Sequence, residues 1–277
     1  MTATPIPRTL ALTIYGDLDL SIIDQMPEGR KKVITEIVSE NKRENAYEKI
    51  KKELESGHQL YVICPKIEES ENINLDLRNV IAEAKRLKKD IFQDYNIDIM
   101  HSRMTKQKKE KVMKDFQDYK IDILVSTSVI EVGVNVENAT VIIIEGAERF
   151  GLAQLHQLRG RVIRSTFQSY CYLFTSTSTR STSSGQAKTM DRLKALTKAS
   201  NGFELAELDL SLRGAGLLSG NKQWGITDLG MEALRNIKMV EAARTEAIHI
   251  IEKDIDLKSF PLLATTLASK NLKLHFE

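Results

Sequence analysis

Asp122-Ile-Leu-Val-Ser126 and Val141-Ile-Ile-Ile-Glu145 decide how this chain is read. Both runs are short and almost continuously apolar, as strands covered on both faces must be. Working outward, Ile34-Thr-Glu-Ile-Val38, Leu60-Tyr-Val-Ile-Cys64, Ile97-Asp-Ile-Met100 and Ser169-Tyr-Cys-Tyr-Leu-Phe174 are strand candidates of the same kind. Helical patterns lie between them. Asn45-Ala-Tyr-Glu48 has the form of a capping-box start, Tyr47, Ile50 and Leu54 make a stripe, and Gly57 is a stop. Leu77 to Phe92 and Thr105 to Tyr119 read as two more helices, the second burying Val112, Met113, Phe116 and Tyr119. Short apolar strands alternating with helices predict βαβ units, hence an α/β fold with a mainly parallel sheet. Ligands gather at the carboxyl ends of such strands. His101-Ser-Arg-Met104, Thr127-Ser128 and Glu145 to Arg149 would lie there.

A second stretch carries the chemistry. Gln154-Leu-His-Gln-Leu-Arg-Gly-Arg-Val-Ile-Arg164 packs three arginines into six residues. As a helix it would put Gln157, Arg161 and Arg164 on one face. Guanidinium forks match phosphate oxygens and keep their charge near neutral pH. The face therefore predicts a phosphate target, with an arginine finger as the catalytic use. The competing reading is an Arg-rich helix that only solvates a surface.

Composition narrows the classes. The chain has 277 residues, 42% hydrophobic and 28% charged, with a net charge of +2. That is globular, and a nucleic-acid interface would need a local patch, since bulk charge supplies none. No apolar run approaches the roughly 20 residues of a spanning helix. Met1-Thr-Ala-Thr-Pro-Ile-Pro-Arg8 lacks an apolar signal region, so a cytoplasmic location is expected. Cys64 and Cys171 read as small buried hydrophobes, and the five histidines show no metal-ligand spacing, so no metal site is expected. Thr175 to Gly185 reads as a polar linker. Helices are expected at Gln186 to Ala199, Phe203 to Leu212 and Gly230 to Asp254, with the glycine-rich Arg213 to Gly225 between the last two. The two helices around that loop suggest a hairpin.

Several stretches together resemble the RecG family, ATP-dependent DNA helicases of superfamily 2. Met1 to Leu10 resembles its motif III, and Tyr15-Gly-Asp-Leu-Asp-Leu-Ser-Ile-Ile-Asp24 follows as in that family. Ser126-Thr-Ser-Val-Ile-Glu-Val-Gly-Val-Asn135 resembles motif V, and Gln154 to Arg164 motif VI. Asn201 to Gly216 resembles the translocation motif shared with the transcription-repair coupling translocase. The resemblance covers nearly the whole chain and points to the C-terminal half of such a protein. It implies a RecA-like three-layer αβα domain with a helical-hairpin extension. Residues 1–32 would end a first motor domain and form a linker. Residues 33–178 would be the second motor domain, and 179–277 the helical extension.

The resemblance also implies roles. ATP with Mg²⁺ would be bound mainly by the first motor domain, with Arg161 and Arg164 reaching the γ-phosphate and Gln157 positioning them. Glu131, Gly133 and Asn135 would belong to the nucleotide-sensing loop. Thr127, His101, Ser102, Arg103, Thr2, Thr4, Arg213 and Gln223 would contact DNA or couple hydrolysis to movement. Partners would be branched DNA (forks and Holliday junctions) and the N-terminal wedge and first motor domain of the same protein, in the nucleoid-associated cytoplasm. The chain departs from the family at Ile163, where Gly is usual, and at Asn135, where Asp is usual. It contains no G-x-x-x-x-G-K-[ST], so it reads as part of a larger motor that begins just after the catalytic half. Alternatives are a transcription-repair coupling translocase, or a non-catalytic nucleic-acid-binding module of the same fold.

Overall fold

A computed structural model of the chain describes residues 31–65, 74–127, 136–163, 166–176, 184–199, 202, 204, 205, 208 and 237–269. Six strands form the sheet: β1 Ile34–Val38, β2 Gln59–Cys64, β3 Ile97–Met100, β4 Ile123–Thr127, β5 Ala139–Ile144 and β6 Tyr170–Phe174. Their order is β1-β6-β5-β2-β4-β3, and every neighbouring pair is parallel. All residues of β2, β4 and β5 are buried, which is why their sequences are almost continuously apolar. On β5 the side chains alternate: Ile142 and Ile144 enter one core, Val141 and Ile143 the other.

Seven helices flank or follow the sheet among the described residues: α1 Arg43–Glu55, α2 Asn74–Arg86, α3 Lys106–Gln117, α4 Leu152–Arg159, α5 Ser184–Lys198, α6 Ile237–Lys253 and α7 Pro261–Ser269. One core joins the sheet to α3, α4 and α5 through Met113, Phe116, Leu155, Leu158, Leu193 and Leu196. The other joins it to α1 and α2 through Tyr47, Ile50, Leu54 and Val80. The result is the three-layer αβα arrangement expected from the resemblance. The described residues from 237 onward belong to a second compact unit. There α6 stops at Lys253, close to the expected end, and Asp254 accepts the Ser259 amide at 2.6 Å just ahead of α7. Nothing in the sequence reading anticipated α7.

Three helix ends differ from expectation. The first helix begins at Arg43 rather than Asn45, because a 3₁₀ turn at Glu40–Lys42 runs straight into it and no side chain caps it. Its other end closes as expected at Gly57, whose φ is 85°; Gly57 N donates to Leu54 O and His58 N to Glu53 O. The same pair of bonds ends α3, with Tyr119 N on Phe116 O and Lys120 N on Asp115 O. Tyr119 therefore takes the left-handed position at φ 61° and is 63% exposed, not buried as predicted. Finally, the Leu77 to Phe92 helix becomes a π turn at Leu87–Ile91, which sends Leu87 and Phe92 into the core.

Candidate functional site

The residues singled out by sequence divide between the two edges of the sheet. His101 follows β3, Thr127 ends β4 and Glu145 follows β5, so these occupy the carboxyl edge, as expected. The His101–Met104 turn is closed by the Met104 amide on the His101 carbonyl, 3.2 Å, and exposes Ser102 and Arg103. It leads into Thr105, whose hydroxyl accepts the Lys108 amide and caps α3. His101 is half-buried, and its Nδ1 has no partner among the described residues. Burial, then Lys109, Arg103 and Lys108, holds its ring below the usual histidine range, so it is neutral at pH 7. Thr127 is 2% exposed, so its hydroxyl is not on the surface.

The same edge contains an ion-pair network that no sequence pattern revealed. Glu145 accepts from Arg43 Nη1 and Nη2 at 3.3 and 3.1 Å, and Arg86 lies 3.9 Å away. Arg86 grips Glu83 at 2.6 and 3.0 Å and donates to the Tyr47 hydroxyl at 2.8 Å. The Arg43 guanidinium also stands 4.8 Å from the Phe174 ring centre. Burial outweighs Arg43 and pushes the Glu145 carboxyl up to about 7. Next to Glu145, Gly146 turns the chain at φ 58°, and a Cβ there would meet Pro65 at 3.2 Å. Its left-handed conformation and this close approach both favour glycine.

The arginine stretch lies at the opposite edge. The expected helix through Arg164 stops as an α-helix at Arg159 and continues as a 3₁₀ turn, Gly160–Val162. Ser169, immediately before β6, donates its hydroxyl to the Val162 carbonyl at 2.6 Å, pinning this turn to the amino edge. Gln157 is exposed on α4 and Arg161 is half-buried in the turn. Gln154 accepts the Gly151 amide and so serves the start of α4. Ile163 sits at φ −82° and packs on the core, so the side chain that replaces the family's glycine meets no left-handed requirement here. Arg159, given no role by the sequence reading, is 6% exposed. It donates to the Leu196 carbonyl at 2.7 Å and lies 3.3 Å from His156 Nδ1.

The structure thus brings His101, Ser102, Arg103 and Thr127 to one edge and Gln157 and Arg161 to the other. Arg164, Glu131, Gly133, Asn135, Thr2, Thr4, Arg213 and Gln223 lie outside the described residues. Among the described residues no group of three or more His, Cys, Asp or Glu could hold a metal, and no helix is long and apolar enough to cross a membrane. Cys64 and Cys171 are buried free thiols, and burial pushes Cys171 up to about 12.

Comparison with known proteins adds an independent line. Residues 41–166 match the helicase conserved C-terminal domain, and residues 199–272 match the C-terminal part of domain 3 of the ATP-dependent DNA helicase RecG. The chain is 43% identical to the ATP-dependent DNA helicase RecG of Synechocystis sp. over 275 residues, 99% of this chain and 32% of that protein. It is 47% identical to the RecG of Streptococcus pneumoniae over 251 residues, 90% of this chain and 36% of that protein. Among solved structures it resembles RecG bound to a three-way DNA junction, with a TM-score of 0.64 and 38% identity over 87% of this chain and 30% of that one. The chain spans about a third of the length of these curated relatives. Two matched segments in sequence order, on a parallel αβα scaffold of the same shape, place the chain in the RecG family of ATP-dependent DNA helicases, of which it represents the C-terminal part.

Proposed function

We propose that this chain is the second motor domain, with its helical extension, of an ATP-dependent helicase that remodels branched DNA such as forks and Holliday junctions in the cytoplasm. The observation that carries the reading is the separation of its two cationic surfaces. The Arg161 turn is pinned at the amino edge by Ser169, while the His101–Arg103 turn stands at the carboxyl edge. One edge suits a nucleotide phosphate presented from another domain; the other suits a DNA backbone. The solved RecG relative bound to a three-way junction supports branched DNA as the class of substrate.

ATP fits this chain only in part. No phosphate loop is present in the sequence, so the triphosphate and its Mg²⁺ are assigned to a preceding first motor domain, with residues 1–32 as its end. ATP supplies an anhydride bond whose cleavage drives movement. Arg161 and Arg164 neutralise charge that develops on the outer phosphate, and Gln157 orients them. Glu131, Gly133 and Asn135 respond to the nucleotide. His101, Ser102, Arg103, Thr2 and Thr4 touch the DNA backbone, whereas the buried Thr127 hydroxyl does not reach it, and Arg213 and Gln223 convert hydrolysis into translocation. The Ile163 conformation removes one obstacle to catalysis and so weakens the non-catalytic alternative.

Phosphate release with fork DNA tests the reading. The 277-residue chain alone should give background turnover. Adding the phosphate-loop part of a RecG relative should restore it, and Arg164→Ala should abolish it again. Turnover by the chain alone that survives Arg164→Ala would refute the assignment.

A further inference from the structure

Arg159 is the last residue of α4 and is 6% exposed. A buried arginine is expected to have a carboxylate beside it, because desolvating an unpaired charge is costly. None is paired with Arg159 among the described residues. Its Nη1 donates to the Leu196 carbonyl, in the last turn of α5, at 2.7 Å; its Nη2 faces His156 Nδ1 at 3.3 Å, and its Nε has no partner. His156 cannot compensate the charge. Burial and then Arg159 hold its ring below the usual histidine range, so it is neutral and accepts. Burial also lowers the Arg159 guanidinium from its usual range, but an arginine stays protonated in a protein. A neutral side chain could bridge α4 to the Leu196 carbonyl without this cost. The positive charge therefore calls for its own explanation.

We propose that Arg159 supplies a buried positive charge, with no carboxylate partner among the described residues, that strengthens phosphate binding at the Arg161 turn, two residues on. It acts as a positioning residue and touches no phosphate itself. The inference rests on the reading of Arg161 as a phosphate ligand. The field of Arg159 is little screened by solvent, because its own side chain is buried. An anion drawn to the turn relieves the desolvated cation, so binding and burial support each other.

Pyrophosphate is the probe, titrated into the full chain by calorimetry while NMR follows the His156 ring. Arg159→Gln keeps a donor for Leu196 and removes the charge; Arg159→Lys keeps the charge and loses the fork. The glutamine variant should bind about three- to tenfold more weakly, the effect of one charge at an effective dielectric of about 20–40. The lysine variant should stay within about twofold of the native chain. In the native chain, pyrophosphate should raise the His156 pKa, because the added anion offsets Arg159. Native-like binding by Arg159→Gln, or equal losses in both variants, overturns the proposal. If Arg159→Gln does not fold, the native His156 titration decides alone, and an unmoved pKa overturns it. Arg161→Ala separates this inference from the reading beneath it. If that variant binds as the native chain does, the phosphate role of the turn fails. If it loses binding while Arg159→Gln keeps it, only the role of Arg159 fails.

Discussion

The two edges of the sheet carry their arginines in opposite ways. At the carboxyl edge Arg43 and Arg86 are matched by Glu145 and Glu83, and the four side chains tie α1 and α2 to the end of β5. At the amino edge Arg159 has no carboxylate among the described residues, and Arg161 follows it in the same turn. Matched charges leave little external field, so the first group holds the scaffold. Arg159, without a carboxylate among the described residues, leaves a positive charge that suits this edge to attract an anion. Residue type alone does not separate the two cases. The placement of carboxylates does.

The largest test of this contrast is Arg161→Ala in the reassembled motor. Turnover should fall by about 10³–10⁵, as on losing a trans-acting arginine, while DNA affinity holds. An equal loss of DNA binding would erase the division between the edges. Next is Glu145, whose carboxyl is raised from 4.5 to about 7. A raised carboxyl favours the folded state when protonated, so its contribution is present below about pH 4.5 and is lost as pH rises through about 7. Between pH 5 and 8 the native chain should lose up to about 3 kcal/mol relative to Glu145→Gln, at about 1.4 kcal/mol per unit. Parallel melting curves for the two proteins would show instead that Arg43 fully compensates the burial.

Gly146→Ala should cost about 1–2 kcal/mol, from the left-handed backbone alone, with any added cost depending on how far Pro65 can yield. Chemical denaturation measures it, and an unchanged midpoint would show that the turn adapts. The smallest effect belongs to Arg103→Ala. It should reduce the salt dependence of DNA binding by about one phosphate contact and leave nucleotide turnover intact. A change in turnover without a change in salt slope would move Arg103 out of the DNA surface.

Much of this architecture was legible in the sequence. The central strands were readable because a strand covered on both faces is almost continuously apolar, as in Val141 to Ile144. Helix ends were less so. Tyr119 continues the apolar stripe of α3, and only the closing bonds to Asp115 and Phe116 turn it outward. The edge assignment of motif VI was also hidden: a carboxyl-edge rule finds His101 but says nothing of a turn held at the amino edge by Ser169. Arg43 and Glu145 meet across 102 residues, and no spacing rule reaches that far. The burial of Arg159 has no local mark in the sequence, since arginines are nearly always exposed.

The pairing of β1 with β6 has a consequence for how the protein is made. Gln168 fastens the entry to β6 onto the Lys32 carbonyl, 136 residues upstream. During synthesis β1 therefore leaves the ribosome long before β6, its neighbour among the described strands, exists. At about 5–20 residues per second that wait is roughly seven to twenty-seven seconds. Until β6 arrives, β1 is an unpaired strand with Ile34, Ile37 and Val38 open to solvent or to a chaperone. Ribosome-bound chains stalled before Tyr170 should accordingly be cut by protease near β1, and chains stalled well past Phe174 should resist. Protection already present in the shorter chains would mean that β1 docks elsewhere first.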